Sequence, residues 1–336
     1  MRSWITARLI TLSRLYFTFL FGWALARALL GDRWWWLFVL GSLAVYFFLS
    51  LPVILVVALL GRQRETWIGF GLALALGLYL FGGSFLPKFP PAHASGRLLT
   101  VMSYNIYGDN VDADSVLATI HAGNADVVTL QELNPLIAQA IQRELAGEYP
   151  HQVLDQQWGV GGMGVISRYP LRPTGESMPL EWVSTPQVLA LDFNGTAVTL
   201  LHLHPFATTP APPEHMEWTI RERERQAQAI ADFVAAHPGP LLVPIDFNAS
   251  DQSVAYAIVT QALADSWREA GWGLGHTFPS SRYRPTTYDI PVPAWLVRID
   301  YVFHSRHWQA VSAWVGRWDG ISDHRPVVAR LFLKDW

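Results

Sequence analysis

Cysteine is missing from this chain and lysine nearly so: 336 residues contain no Cys, and their only lysines are Lys88 and Lys334. The lack of Cys excludes a disulfide-stapled module and any thiolate metal centre. It leaves the redox compartment open. Charged residues make up only 15% of the chain, whereas 51% is hydrophobic, which excludes a disordered polymer. Internal repeats and low-complexity tracts are also lacking. What charge there is divides unevenly. Residues 1–96 carry eight Arg/Lys against Asp32 and Glu65, a net +6. Residues 97–336 carry 16 basic and 25 acidic side chains, a net −9. An acidic polar region argues against bulk nucleic acid as the main partner.

The basic part reads as a bilayer anchor. Trp34–Leu60 is 27 residues without a charge and Trp67–Leu86 is 20 more, each enough to cross hydrocarbon as a helix. A third apolar segment, Leu9–Leu30, carries Arg14 and Arg27, and arginines near span ends can snorkel to the headgroups. Pro52 lies within the second span, where a kink is tolerable. A cleaved signal peptide is the alternative for the first segment, but no convincing A-x-A-like site follows it and two longer spans do. Placement of Arg and Lys favours the N-terminus inside and the large domain outside the cytoplasm, by five to four. The expected organisation is a three-helix transmembrane anchor over 1–86, a Pro-rich linker over 87–96 and one domain over 97–336. The spans hold little polarity beyond the two arginines, so anchoring is a simpler account than transport.

In the last 240 residues, short apolar runs alternate with helical segments. Strands are expected at Leu98–Asn105, Val127–Glu132, Gly164–Ser167, Val188–Phe193, Thr196–Leu203, Leu241–Ile245, Ile299–Phe303, Val311–Trp314 and Val327–Leu333. Helices are expected at Ala113–Ala122, Asn134–Ala146, Pro213–His237 and near Ser253–Ala264. That mixture predicts a layered α/β (α+β) domain. Polar residues close many of the strands: Asn105, Glu132, His202 with His204, Asp246 with Asn248, and Asp323 with His324 before the last. Singly, each is an ordinary turn or cap residue. Together they are more acids and amides than turns require.

The segments MSYNI (102–106), LQE (130–132), GMGVISRYPL (162–171), LHLH (201–204), PIDFNAS (244–250), RIDYVF (298–303) and SDHRPV (322–327) occur in that order. The set resembles the endonuclease/exonuclease/phosphatase superfamily, whose members include deoxyribonuclease I-like and neutral sphingomyelinase-like enzymes. The resemblance covers Leu98 to Leu333. It implies a two-sheet α/β sandwich of the deoxyribonuclease I-like type, preceded here by three transmembrane helices, and metal-dependent hydrolysis of a phosphoester.

Such chemistry needs a hard cation on a phosphoryl oxygen, an activated water and stabilisation of the developing charge. Mg²⁺, with Mn²⁺ as substitute, suits oxygen ligands and one or two carboxylates. By resemblance Glu132 is the principal ligand, Asn105 its orienter or the holder of a nearby water, and Asp323 a second or transient metal position. Asp300 pairs with His324, fixing its tautomer. His324 then acts as general base or, protonated, binds phosphate, with Asp246 as the rival base. Asn248 donates its amide to the reacting oxygens. Of the two histidines on one strand face, His202 ranks before His204 as the phosphate contact. A Zn²⁺ site on that pair is the alternative, but it lacks a third nitrogen ligand. One departure stands out: Ile245 replaces the family's Gly before Asp-Phe-Asn. Gly serves where φ is positive, so Ile there predicts a reshaped loop.

The substrate is less legible. A basic patch from Arg282, Arg284, Arg298, Arg306 and Arg317 would serve nucleic acid, whereas Arg221, Arg223 and Arg225 read as a solvated helix face. The aromatic-rich segment Trp272–Val297, with Trp158 and Trp182, predicts an exposed apolar rim near a bilayer. A lipid or lipid-linked phosphoester is therefore favoured. A membrane-anchored nuclease and a non-catalytic binding module are the alternatives. No protein partner is evident.

Overall fold

The computed structural model describes residues 2–89, 97–281 and 292–335. The chain forms two compact units, Met1–Leu86 and Pro87–Trp336. In the first, α1 (Arg2–Leu30), α2 (Trp35–Ser42), α3 (Leu51–Gly61) and α4 (Arg64–Phe81) pack together. Three stretches are long and apolar enough to cross a membrane: Thr6–Leu30, Ala44–Gly61 and Arg64–Phe85. The second differs from expectation. Trp34–Leu60 is not one kinked helix but α2, a 3₁₀ turn over Ala44–Ser50, and α3 with Pro52 in its first turn. Pro is harmless there, because the first-turn N–H has no helical partner to lose. Arg14 pairs with Glu65 at 2.7 Å. Gly69 admits the Phe17 ring where any Cβ would collide with it, a small-residue contact of the kind that brings apolar helices close.

The second unit runs β1 (Leu98–Asn105), α5 (Ala113–Gly123), β2 (Val127–Gln131), α6 (Pro135–Glu144), β3 (His151–Asp155), β4 (Met163–Ser167), β5 (Leu171–Pro173), β6 (Gln187–Phe193), β7 (Thr196–His202), α7 (Pro213–Ala236), β8 (Leu241–Asp246), α8 (Val254–Val259), β9 (Ala264–Asp265), α9 (Ser266–Ala270), β10 (Asp300–His304), β11 (Trp308–Val315) and β12 (Val327–Leu333). Two six-stranded sheets result, ordered β11-β12-β1-β2-β4-β3 and β5-β6-β7-β8-β10-β9. Each holds one parallel pair, β1 with β2 and β7 with β8. This is the α/β sandwich the sequence predicts. Side-chain alternation assigns the layers. Leu99, Val101, Val127, Leu200, Leu242 and Val302 meet between the sheets. Met102, Tyr104, Val128 and Leu130 face the other way, onto Val116, Ile120, Ile137 and Ile141 of α5 and α6. Those helices start on side-chain caps, Asp112 and Asn134, which satisfy otherwise orphaned N–H groups.

Candidate active site

Reading the inward faces along the strands explains where the site must be. On β1 the series is Leu99, Val101, Ser103, Asn105; on β2, Val127, Thr129, Gln131; through β7, Val198, Leu200, His202, His204. On β8 it is Leu242, Pro244, Asp246, and on antiparallel β10 it is Val302, then Asp300. Every central strand is apolar at one end of the sandwich and polar at the other. The polar ends converge.

Asp246 is the centre of that convergence and is 1% exposed. Its Oδ2 accepts the Asn105 Nδ2 amide at 2.9 Å and lies 3.5 Å from His204 Nε2 and 3.7 Å from His324 Nε2. Its Oδ1 accepts the Asn248 backbone N–H at 3.0 Å. Behind His324, Nδ1 meets the Asp300 carboxylate at 3.0 Å, and the Phe278 ring packs on the imidazole at 4.9 Å. Burial disfavours a charged ring here, but the Asp300 and Asp246 carboxylates outweigh it and hold the His324 imidazole well above its ordinary value. Asn248 donates Nδ2 to the Pro205 carbonyl at 3.2 Å, which leaves its second amide hydrogen for another acceptor.

Glu132 forms the other half of the site. Its Oε1 accepts Asn105 Nδ2 at 3.1 Å and its Oε2 accepts the Gly108 N–H at 2.8 Å. Asn105 thus presents nitrogen to two carboxylates, and its Oδ1 is taken by the Tyr107 N–H. In that arrangement it orients Glu132. Burial, together with the nearby Glu132 charge, pushes Asp323 up to about 6 against the pull of His324. Two partly exposed carboxylates held near each other, with oxygen lone pairs remaining, are a donor set that fits a hard divalent cation retaining several waters. Asp246, Asp300 and His324 also bring ligand atoms within 4.8 Å of one another. There, however, His324 Nδ1 is already bonded to Asp300. Tyr107 (φ 66°), Glu132 (φ 59°) and Asn248 (φ 54°) all adopt left-handed backbone, the kind of strain that gathers at functional sites.

Several expectations need correction. His202 does not reach the centre. It is fully buried one layer below His204, with Gln131 on Nε2 at 2.9 Å and Gln187 on Nδ1 at 3.1 Å. Burial, with His204 adding to it, drives its pKa down to about 3. His204, about 7 Å further along the strand, is the histidine beside Asp246. With both His202 nitrogens engaged, a Zn²⁺ site on the pair fails too. Ile245 reshapes nothing: it is a regular β8 residue opposite Tyr301, and the positive φ falls at Asn248. Arg298 is 3% exposed and faces Asp251 and Asp265 at 3.2 and 2.8 Å. Arg306 lies past the far end of β10, and Arg282 and Arg284 lie outside the described residues. Of the described members of the expected patch, Arg298 is thus committed to its carboxylates and Arg306 stands past the far end of β10, whereas Arg317, two residues before Asp319, is exposed. Arg223 is buried, its guanidinium bonded to the Phe206 carbonyl and Thr208 hydroxyl. It pins a loop instead of facing solvent. Of the expected aromatic rim, Trp272 is exposed but follows α9, which leads out of β9 at the end of β10 far from Asp300, Phe278 packs on His324, and residues 282–291 lie outside the described residues.

Sequence reasoning also missed residues that hold the site together. Asp319 accepts Asn110 Nδ2 and the Ile321 and Ser322 N–H groups. The Ser322 hydroxyl donates to the Asn105 carbonyl and accepts the His324 N–H. Gln131 reaches from Ser103 to His202. The one available signal was Asp319's position, shortly before the Ser-Asp-His motif.

Sandwich, polar end and paired His–Asp define a member of the deoxyribonuclease-like hydrolase class. The chain belongs to the endonuclease/exonuclease/phosphatase family, whose profile matches residues 102–324. Members of this family hydrolyse phosphoesters with a divalent metal. Among solved structures, D. rerio TDP2 complexed with single strand DNA product is similar at 18% identity, over 70% of this chain and 99% of that one, with a TM-score of 0.54. A Bacteroides vulgatus endonuclease/exonuclease/phosphatase is similar at 19%, over 71% and 100%, with a TM-score of 0.53. One from Beutenbergia cavernae is similar at 23%, over 71% and 72%, with a TM-score of 0.52. At these identities the likeness concerns the fold. No curated protein matches the chain in sequence.

Proposed function

We propose that residues 97–336 are a Mg²⁺- or Mn²⁺-dependent phosphoester hydrolase, held by residues 1–86 in a membrane through the 87–96 linker, and acting on a lipid or lipid-linked ester. The observation that carries this reading is Asp246, buried between the imidazoles of His204 and His324 and within reach of Asn105 and Asn248. That is a pocket of donors and proton carriers suited to a phosphoryl group and an attacking water. Glu132 and Asp323 are the residues that would hold the cation. When bound, it would polarise the phosphoryl oxygens and neutralise developing charge.

The chain's own residues do the rest. His204 and Asn248 receive the phosphoryl oxygens. Water attacks phosphorus, its proton passes to Asp246, and as the bond to the leaving oxygen breaks that oxygen takes the Nε2 proton of the His324 imidazolium. Asp300 keeps Nδ1 of His324 protonated, so that Nε2 faces the reaction. Support for a membrane-borne substrate comes from the three bilayer-length helices and from the net −9 of residues 97–336, a poor match for polyphosphate backbones. The thin Arg/Lys bias favours the catalytic unit outside the cytoplasm, and C-terminal reporter fusions active only in the cytoplasm would refute that placement.

The test is a panel of DNA, RNA, phospholipids, sugar phosphates and a generic nitrophenyl diester, offered to the full-length protein with Mg²⁺ or Mn²⁺. Cation-dependent release that His324→Ala abolishes is expected. Wild type and variant equally inert on the whole panel would leave the non-catalytic binding module instead.

A further inference from the structure

Beside the site stands a group of apolar side chains that the core does not use. Tyr107, Trp158, Val160 and Leu180 are 39%, 58%, 55% and 39% exposed. They come from three turns that the site itself ties together. Tyr107 precedes Gly108, whose N–H binds Glu132. A Cβ on Gly108 would overlap the Gly159 carbonyl, so this turn abuts the one carrying Trp158 and Val160. The Val160 carbonyl accepts the Ser184 hydroxyl at 3.0 Å, and that same hydroxyl lies 3.4 Å from His204 Nδ1. Four residues earlier, Leu180 is presented by a turn fixed through the Trp182 indole Nε1–H on the Pro179 carbonyl and the buried Gln226 amide on the Glu181 carbonyl. The lip therefore runs from the Glu132 side of the site to the His204 side.

Two of its members stand in costly backbone, Tyr107 at φ 66° and Leu180 at φ 72°. Left-handed φ is unusual for a bulky residue and persists only where the surroundings impose it. At both positions that backbone carries a bulky side chain that stays in water, the reverse of what burial of apolar surface favours. None of the four carries a charge, although the unit around them is strongly acidic. Their occupant should therefore be neutral, apolar and joined to whatever sits between His204 and Glu132.

We propose that Tyr107, Trp158, Val160 and Leu180 form a lip that receives the hydrocarbon chain of the substrate, an alkyl- or isoprenyl-type phosphoester whose phosphate lies at Asp246. This rests on the hydrolase reading above and names its substrate class. A substrate-borne chain, rather than a separate protein, is the occupant because the lip begins at the hydrogen-bond partners of the site's own residues. The same chain carries three bilayer-length helices, and esters with such tails concentrate in bilayers. Each methylene withdrawn from water strengthens binding about fourfold, so a few contacts suffice for discrimination.

The test compares octyl and methyl p-nitrophenyl phosphate, hydrolysed by the full-length protein in nanodiscs. Wild type should prefer the octyl ester at least tenfold in kcat/KM. The combined Trp158→Ser, Val160→Ser, Leu180→Ser variant should lose that preference through KM, with the methyl ester unchanged within about twofold. Parallel loss on both esters, or an octyl preference that survives (chain partition into the nanodisc), would overturn the lip. If wild type cleaves neither ester, the wider panel judges the hydrolase reading and binding decides the lip. Saturable quenching of fluorescence by octyl but not methyl phosphate, absent in Trp158→Ser, would still uphold the lip, and no such difference would sink it.

Discussion

Asp319 and Asn110, 209 positions apart, join carboxylate to amide at 2.9 Å, and the contact links the loop that feeds Glu132 to the loop that carries His324. Asn110 is fully buried and donates its second bond to the Ile106 carbonyl. Asp319 spends its other oxygen on the Ile321 and Ser322 N–H groups. This pair, with the Ser322 hydroxyl on the Asn105 carbonyl, ties the two walls of the site together.

Asp319→Ala should lower kcat by about 10- to 100-fold with a smaller change in KM, because it misplaces His324 without removing it. Several charge-assisted bonds are lost as well, so stability should fall by about 2–4 kcal/mol. Asp319→Asn keeps an oxygen for the backbone amides but sets its NH2 against that of Asn110, so it should recover only part of kcat. Steady-state kinetics beside urea unfolding separate the effects, and an Asp319→Asn as active as wild type would show that the Asn110 contact does not position the site.

The two histidines of β7 should separate cleanly. His204→Asn should cost about 10²-fold or more in kcat/KM, the usual scale for a proton-handling or oxyanion-binding group. His202→Gln should stay within a few-fold of wild type, since its ring nitrogens are engaged by Gln131 and Gln187. The opposite ranking would return the phosphate contact to His202.

His202 should also make stability depend on pH. Buried and neutral, it has a folded pKa of about 3 against an unfolded value near 6.5. Between those values the unfolded chain binds the extra proton, so stability is full above about pH 6.5 and drains away as pH falls toward 3. The unfolding midpoint measured from pH 7.5 to 4 should decline in wild type and flatten in His202→Gln. Equal slopes would mean that this ring is not held neutral.

Cation binding can be read without turnover. Mg²⁺ at 100 times its Kd stabilises a folded protein by about 2.7 kcal/mol, which for a unit of this size raises the thermal midpoint by roughly 5–10 °C. Glu132→Gln should abolish most of that rise. A shift that survives Glu132→Gln and vanishes in Asp246→Asn would move the ion to the Asp246–Asp300–His324 cluster.

The strands most legible in the sequence were those whose alternation is uninterrupted. Leu98–Asn105 and Val327–Leu333 appear with their expected bounds. Strand β11 is longer than Val311–Trp314 because a register shift between Ala310 and Ser312 breaks its period. Edge strand β3, HQVLD, is half polar and carries no pattern to read. Helix α8 begins at its Ser253 cap as expected, but it ends at Val259, and the chain turns into β9 and α9 where a longer helix was expected.

The site divides in the same way. Which residue types gather there was visible in the motifs. Period-2 parity put His202 and His204 on one face but could not say which stood at the rim, since that depends on where the sandwich stops being apolar. Arg223 lies half a turn round α7 from Arg221 and Arg225, so three arginines that look alike in the sequence meet buried carbonyl and solvent respectively.

The gradient from Leu99 to Asn105, repeated on every central strand, has a further consequence. Asn105, Asp246 and Asp300 stand in hydrogen-bonded ladders, where a slip of one residue would turn each polar group out of the core, and Glu132, His204, Asn248 and His324 follow within a few residues of a strand end. The apolar lip is written into turns outside those ladders, at Tyr107, residues 158–160 and Leu180. A lineage, or an engineer grafting new turns at 156–161 and 179–184, can therefore change these apolar side chains while Asn105, Asp246 and Asp300 stay fixed in their ladders.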